Sequence, residues 1–366
     1  MLIVLLDMLN WRLKRGVQPM KALVYNKDLE EKIKLVEKEK PTIQNPRDAI
    51  VKVTLSTICT SDLHIMHGLV PRANNKITLG HEFVGEIVEL GNDIKNFSIG
   101  DRVSANCETF CGECYFCKRG YINNCEKGGW ETGCRIDGCQ AEYIRVPYAD
   151  TGLTKIPENV TNENALFVGD ILSSGYFGAK MCEIKKGDTI AIIGAGPVGL
   201  CAMICSKLLG AEKIIVIDTN ENRLNIAKQQ NLANYFLNPQ NCNIEQEIKN
   251  LTDCRGADGV IECAGGKTTF ELAWKIARPN AIVGVVAMYE DNQTLPLPQM
   301  YGKNLTFKTG GVDAIYCKEL LELISQGKIN TDFLITQKYK LSKIEEAYKF
   351  FAQNKNSCLK VAITQD

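Results

Sequence analysis

From Met20 to about residue 170 the apolar residues come in short runs that partly alternate with polar ones, the pattern of half-buried strands. Lys-Ala-Leu-Val-Tyr after Met20 predicts a first strand, and Ala49–Leu55 another. Phe83–Leu90 is rich in β-branched residues and stops at the turn signal Gly91-Asn92. Gly100-Asp101 marks a second turn before Arg102-Val103, and Gln140–Val146 predicts a further short strand. Together they predict an all-β, barrel-like domain with functional loops.

Near residue 188 the rhythm changes. Thr189–Ile193 is a continuous apolar run, and Gly194-Ala-Gly-Pro-Val-Gly199 then opens a helix expected to reach about Leu209. A strand at Lys213–Ile217, a helix at Glu221–Gln230, and strands at Gly259–Cys263 and Ala281–Val286 follow. Strands alternating with helices predict a parallel, doubly wound sheet. After about residue 305 the pattern is mixed, with helices expected at Cys317–Ser325 and Lys343–Asn354 and a last strand at Cys358–Thr364. No internal repeat or low-complexity tract interrupts this order.

Composition narrows the classes. A chain of 366 residues suggests two domains. Lys+Arg and Asp+Glu both number 43, so charge gives no case for nucleic acid or an anionic membrane as partner. Met1–Leu9 is apolar apart from Asp7, with Arg12, Lys14 and Arg15 after it, which reverses the order of a secretory signal and is too short to span a bilayer. Residues 1–19 are read as an extension or a misplaced start, with a weakly amphipathic surface helix as the lesser reading. Without a signal, sixteen cysteines imply metal ligands or small buried hydrophobes in a reducing, cytoplasmic compartment.

Three groups of residues carry chemistry. All three histidines, His64, His67 and His81, lie between Cys59 and Glu82. Cys59, His81 and Glu82 supply the thiol, imidazole and carboxylate that zinc takes in an open, catalytic site. Ser61 and His64 stand where they can move protons beside such a metal. Alone, the stretch is also compatible with a buried cysteine and some loop histidines.

Cys111, Cys114, Cys117 and Cys125 form C-x2-C-x2-C-x7-C, the composition of a closed tetrahedral zinc site. An iron–sulfur cluster is the competitor, although its fourth cysteine is commonly spaced differently and followed by proline, and here Glu126 follows Cys125. Cys107, Cys134 and Cys139 are read as non-ligands.

The third group is the dinucleotide fingerprint over Gly194, Gly196, Pro197, Val198 and Gly199, informative because it follows a buried strand and opens a helix. Gly194 permits the tight turn, Gly196 lets backbone approach a pyrophosphate, and Gly199 lets the helix pack closely. Asp218 ends the next strand, where a carboxylate holds ribose hydroxyls and repels a 2′-phosphate, so NAD is expected over NADP. Arg223 is the counter-signal, since an arginine nearby accommodates that phosphate.

With these groups placed, residues 20–366 resemble the zinc-dependent medium-chain dehydrogenases, the alcohol dehydrogenase family. The resemblance rests on Cys59-Thr-Ser-Asp-Leu-His64, Gly80-His-Glu82, the four-cysteine lobe, Gly169-Asp170 and the Gly194 fingerprint, in the family's order. It implies an α/β protein: a GroES-like β-rich catalytic domain with an inserted Rossmann domain. The implied boundaries are 20–170 for the catalytic domain and its lobe, 171–305 for the Rossmann domain, and 306–366 for the return to the catalytic domain.

The resemblance further implies Asp170 as a ligand of the catalytic zinc beside Cys59 and His81, in a place where many members have cysteine and bacterial secondary-alcohol dehydrogenases have aspartate. Cys182 falls too far along the chain to replace it. Glu82 is implied as the exchangeable ligand. Ser61 is the hydroxyl touching the substrate oxygen, and His64 the outer end of a relay through the cofactor ribose. His67 has no implied role.

The expected function is NAD- and zinc-dependent oxidation of a primary or secondary alcohol, with two zinc ions per chain and a homodimer or homotetramer as the assembly. A polyol, L-threonine or formaldehyde dehydrogenase on the same scaffold is the alternative, with Gly128–Gly138 and its Trp130 able to shape the pocket. A nucleotide-binding relative without turnover is the alternative of another class; it needs a missing ligand or relay hydroxyl, and none is missing.

Overall fold

The computed structural model describes residues 18–366. The apolar run Met1–Leu9 lies outside the described residues. The first strand, Pro19–Tyr25, starts at the end of the expected extension.

Two compact units divide the chain. The first takes the chain up to Gly169 and adds Ile315–Asn354 and Lys360–Asp366. The second comprises Asp170–Ala314 and Lys355–Leu359.

The first unit is β-rich. Pro19–Tyr25 pairs antiparallel with Ile33–Glu39 and with Ile77–Thr78. A seven-stranded sheet has the order Ile335–Lys340, Lys360–Thr364, Ala49–Ile58, Phe83–Leu90, Arg102–Ala105, Leu153–Lys155, with Tyr143–Val146 also paired to Ala49–Ile58. Val51, Val53, Phe83, Ile87, Val103 and Ile144 pack into one buried cluster, as side chains of one sheet face must.

Register decides where the chemistry collects. Ala49–Ile58 is antiparallel to both neighbours, with Ser56 opposite Phe83 and Ile58 opposite Val361. The residue after the central strand (Cys59), the residues before the second (His81 and Glu82) and the first residue of the third (Lys360) therefore emerge at one end of the sheet. The Thr57 amide donates to the Glu82 carbonyl there, at 3.3 Å. Arg102–Ala105 adds a fourth segment at the same end, because Val84 pairs with Ser104. The Cys107 amide donates to the Gly169 carbonyl at 3.0 Å, and a Cβ on Gly169 would collide with the Ala105 carbonyl. Only glycine allows that approach, and it delivers Asp170 to the sheet end.

The second unit is a six-stranded parallel sheet in the order Tyr235–Leu237, Lys213–Ile217, Thr189–Ile193, Ala257–Glu262, Ala277–Val285, Thr306–Thr309. Ile193, Ile215, Ile217, Val260, Trp274 and Val283 belong to its buried core. The helix Pro197–Leu208 follows the central strand.

Two expectations need correction. The return to the first unit, expected at 306, comes after Ala314, because Thr306–Thr309 pairs in parallel with Ala277–Val285 as the sixth strand. That strand is short and lies at an edge, where burial does not select an apolar run. The strand expected from Ala281 begins at Ala277, since Arg278, Pro279 and Asn280 are at most half-buried and break the hydrophobic pattern.

Candidate active site

The sheet end of the first unit holds a mixed-ligand cluster. Cys59, His81, Glu82 and Asp170 each place one ligand-type atom within 4.8 Å of the others. His81 and Glu82 are buried, while Cys59 and Asp170 are half-buried. Cys59 is the N-cap of the short helix Thr60–Met66, and Asp170 lies in the single π-helical turn Val168–Leu172. Such turns occur often at functional sites.

Asp62 organises the cluster from behind. Its Oδ2 accepts the Cys59 amide at 2.9 Å and the Gln140 side-chain amide at 3.2 Å, and the Tyr348 hydroxyl donates to Gln140 Oε1 at 2.6 Å. Asp62 Oδ1 stands 3.7 Å from His81 Nδ1. Burial pushes the Asp62 carboxyl up, and the neighbouring His81 opposes that shift. A carboxylate behind Nδ1 turns the other imidazole nitrogen toward a ligand. His81 Nε2 accordingly lies 3.4 Å from Ser61 Oγ and 4.0 Å from Glu82 Oε1.

Glu82 is ion-paired through Oε1 with Lys360 Nζ, and both side chains are almost fully buried. A buried charge without its partner is strongly destabilising, so Lys360 and Glu82 each supply the partner the other needs. Sequence reasoning missed Lys360, although a lone lysine in the apolar run Cys358–Thr364 was a signal. It also missed Asp62, Gln140 and Tyr348, which have no shared spacing.

The two residues expected to form a relay share the helix Thr60–Met66. Ser61 and His64 are both half-buried and three apart, hence on one helical face. His67 is exposed at the helix C-terminus. Trp130 packs edge-on against His81, with ring centroids 5.9 Å apart. Cys182 is buried in the second unit, where its thiol donates to the Val260 carbonyl at 3.5 Å; burial pushes it up to about 12.

The lobe thiols converge as a separate group. Cys111, Cys114, Cys117 and Cys125 bring their sulfurs within 4.8 Å of one another, and those of Cys111 and Cys117 are 4.0 Å apart. Thiolates about 2.3 Å from a tetrahedral ion stand about 3.8 Å apart, so this spacing suits four ligands of one zinc. Backbone amides, chiefly those of Cys117 and Glu126, pull the Cys114 thiol down to about 6, whereas burial pushes Cys117 up to about 12. A divalent cation would allow four crowded sulfurs to ionise together. Cys107, Cys134 and Cys139 stay outside both groups.

In the second unit the fingerprint has the geometry a pyrophosphate requires. Gly194 has φ +100°, and a Cβ on Gly199 would collide with the Gly194 carbonyl. Gly196 is the N-cap and Pro197 the first residue of the following helix, with Val198 next; all three are half-buried. The free N–H groups of such a helix end are suited to an anion. Asp218 accepts the Ala195 amide on one oxygen at 2.6 Å and the Asn220 amide on the other at 2.8 Å, which fixes it beside the loop. Arg223 donates from Nη2 to the Lys355 carbonyl at 2.8 Å, and its Nη1 is 3.6 Å from where a Gly196 Cβ would be.

A group of candidate metal ligands on a β-rich unit and a dinucleotide-type loop on a parallel sheet are the combination of a zinc-binding nicotinamide dehydrogenase. Residues 45–158 match the alcohol dehydrogenase GroES-like domain, and residues 197–326 match the zinc-binding dehydrogenase domain. An alcohol dehydrogenase of Cupriavidus necator is 36% identical over 91% of this chain and 95% of its own. An NADP-dependent isopropanol dehydrogenase of Thermoanaerobacter brockii is 31% identical over 91% of this chain and 96% of its own. Among solved structures, an alcohol dehydrogenase from Thermus sp. ATN1 superposes with a TM-score of 0.88 at 35% identity, covering 95% of this chain and 100% of that one. The chain belongs to the zinc-dependent medium-chain dehydrogenase family.

Proposed function

We propose that this protein is a zinc-dependent alcohol dehydrogenase that interconverts a primary or secondary alcohol and its carbonyl compound with NAD as the preferred cofactor. The observation that carries the reading is the convergence of Cys59, His81, Glu82 and Asp170 on one point, with the Ser61 hydroxyl beside His81. When bound, zinc supplies Lewis-acid polarisation of the alcohol oxygen and the nicotinamide takes up the hydride.

The chain's own residues do the rest. Cys59, His81 and Asp170 would hold the metal, and Asp62 orients His81. Glu82, tethered to Lys360, would be the exchangeable ligand. Ser61 accepts the alcohol proton as it gives up its own hydroxyl proton, which passes outward toward His64 on the same helical face. Turnover of a panel of alcohols, polyols and aldehydes by zinc-loaded protein, followed by NADH absorbance, tests the reading. Oxidation of simple alcohols is expected, and no turnover of any member overturns it.

Two zinc ions per chain are expected from the two ligand groups. Elemental analysis checks this, and one zinc, or iron in its place, would overturn the assignment of the lobe.

The preference for NAD rests on Asp218. Its carboxylate is fixed by two backbone amides, and a 2′-phosphate brought there would meet its charge. Arg223 has one arm occupied by the Lys355 carbonyl. Asp218→Ala is expected to remove most discrimination against NADP and to cost NAD binding about 1.5–3 kcal/mol, the value of hydrogen bonds to a charged group. The ratio of kcat/KM for the two cofactors checks this, and a wild-type preference for NADP contradicts it.

A homo-oligomer, dimeric or tetrameric, is part of the reading. Met288, Leu297 and Tyr301, 73%, 66% and 95% exposed, lie close together in the sequence of the second unit, and exposed apolar clusters commonly mark interfaces. Among the described residues no helix is long and apolar enough to cross a membrane. All sixteen cysteines are free, which agrees with a reducing, cytoplasmic setting.

A further inference from the structure

The geometry points to an anion-recognising subsite beside the metal cluster: we propose that Arg72, stacked on Trp130, selects alcohols that carry a carboxylate or phosphate over neutral alcohols of the same length. The proposal rests on the alcohol dehydrogenase reading above and names the substrate class of that same site.

The Arg72 guanidinium lies over the Trp130 ring, 5.0 Å from its centroid. The same ring meets zinc-ligand candidate His81 edge-on at 5.9 Å. The cation is therefore no farther from the His81 ring than these two separations laid end to end. That upper bound admits a short hydroxylated chain with its hydroxyl at the cluster and its charge at Arg72.

The loop bearing Arg72 is pinned. The Asn74 amide donates to the Cys134 carbonyl at 2.8 Å, and its side-chain amide to the Arg135 carbonyl at 2.7 Å. The Lys27 amide donates to the Asn75 side chain, also at 2.8 Å. These bonds fix the backbone just after Arg72, and the cation–π contact places its guanidinium on the ring.

The charge is also uncompensated. Among the described residues no carboxylate forms an ion pair with Arg72. Glu131 of the adjoining segment is paired with Arg135, and Asp137 with Lys38. Arg72 also hydrogen-bonds the Cys134 side chain, and its remaining N–H groups are left for contact with a carboxylate or phosphate. An arginine that merely shields Trp130 would treat neutral and anionic substrates alike, and this difference makes the proposal testable.

The experiment compares kcat/KM, at saturating cofactor, for 1-butanol, 4-hydroxybutanoate and 4-hydroxybutyl phosphate, and for the corresponding six-carbon set. The wild-type enzyme is expected to favour an anionic member of at least one set, and the favoured member shows whether carboxylate or phosphate is read. Arg72→Gln is expected to lower the anionic-to-neutral ratio about tenfold to a hundredfold, the worth of a charge-assisted hydrogen bond. Arg72→Lys, which keeps charge but loses the planar fork, is expected to keep part of the ratio. The wild-type preference is expected to shrink as salt is raised, because the site is exposed.

Oxidation of neutral alcohols with no preference for either anion overturns the subsite and leaves the alcohol dehydrogenase reading standing. A ratio unchanged by Arg72→Gln also overturns the subsite. Failure to oxidise any member, neutral or anionic, overturns the underlying reading.

Discussion

Ser61→Ala is expected to lower kcat for alcohol oxidation about 100-fold to 10,000-fold, the usual contribution of general acid–base catalysis. The Ser61 hydroxyl lies 3.4 Å from His81 Nε2, at the point where the candidate ligands converge. Its removal takes away the group nearest the leaving proton and leaves every candidate metal ligand in place. Zinc content by elemental analysis and NAD affinity by equilibrium binding should both stay near wild type, since the dinucleotide loop belongs to the other unit. His64→Ala is expected to cost less and to be partly restored by added imidazole, because water and buffer can replace an outer relay member. Near-normal oxidation by Ser61→Ala at neutral pH would refute the relay. Glu82, the ligand expected to exchange, would then be the next base to test.

Cys114→Ser is expected to lose the lobe zinc and to destabilise the protein by more than the about 4–5 kcal/mol that only exceptional substitutions reach. A structural zinc contributes its binding free energy to folding. The lobe has little else at its centre: its buried cluster is Cys111, Cys114 and Cys125, with Phe110, Phe116, Cys117 and Tyr148 around them. Cys114 is also the thiol that backbone amides pull down to about 6, so serine removes the sulfur best prepared to ionise. The expected result is a fall of one zinc per chain, a lowered thermal unfolding temperature, and faster proteolysis between Cys111 and Cys125. Unchanged zinc content and unchanged unfolding would rule out a metal-held lobe.

Much of the architecture is local in origin and was therefore legible. The fingerprint needs only a turn with positive φ at Gly194 and no side chain at Gly199, and both demands fall within one short stretch. Buried parallel strands must be continuously apolar, which is why Thr189–Ile193 and Lys213–Ile217 stand where the pattern predicts them. Polar or edge strands left no such mark, and Thr306–Thr309 was assigned to the wrong segment for that reason.

The site divides along the same line. Spacing alone gathered the four lobe cysteines, because residues three and eight apart on a tight loop can reach one ion without help from the rest of the fold. Cys59, His81 and Glu82 were readable as ligand types, and the family resemblance supplied Asp170. What brings them together is antiparallel register, Ser56 opposite Phe83, and the close approach of Gly169 to Ala105. The tertiary structure alone decided that Lys360 neutralises Glu82, that Asp62 stands behind His81, and that Arg72 lies over Trp130 without a carboxylate. The sequence by itself determined whatever backbone conformation and short spacing can enforce. Partners far apart along the chain were settled by strand register and burial, since a charge or a ring meets its neighbour only after the sheet has folded around both.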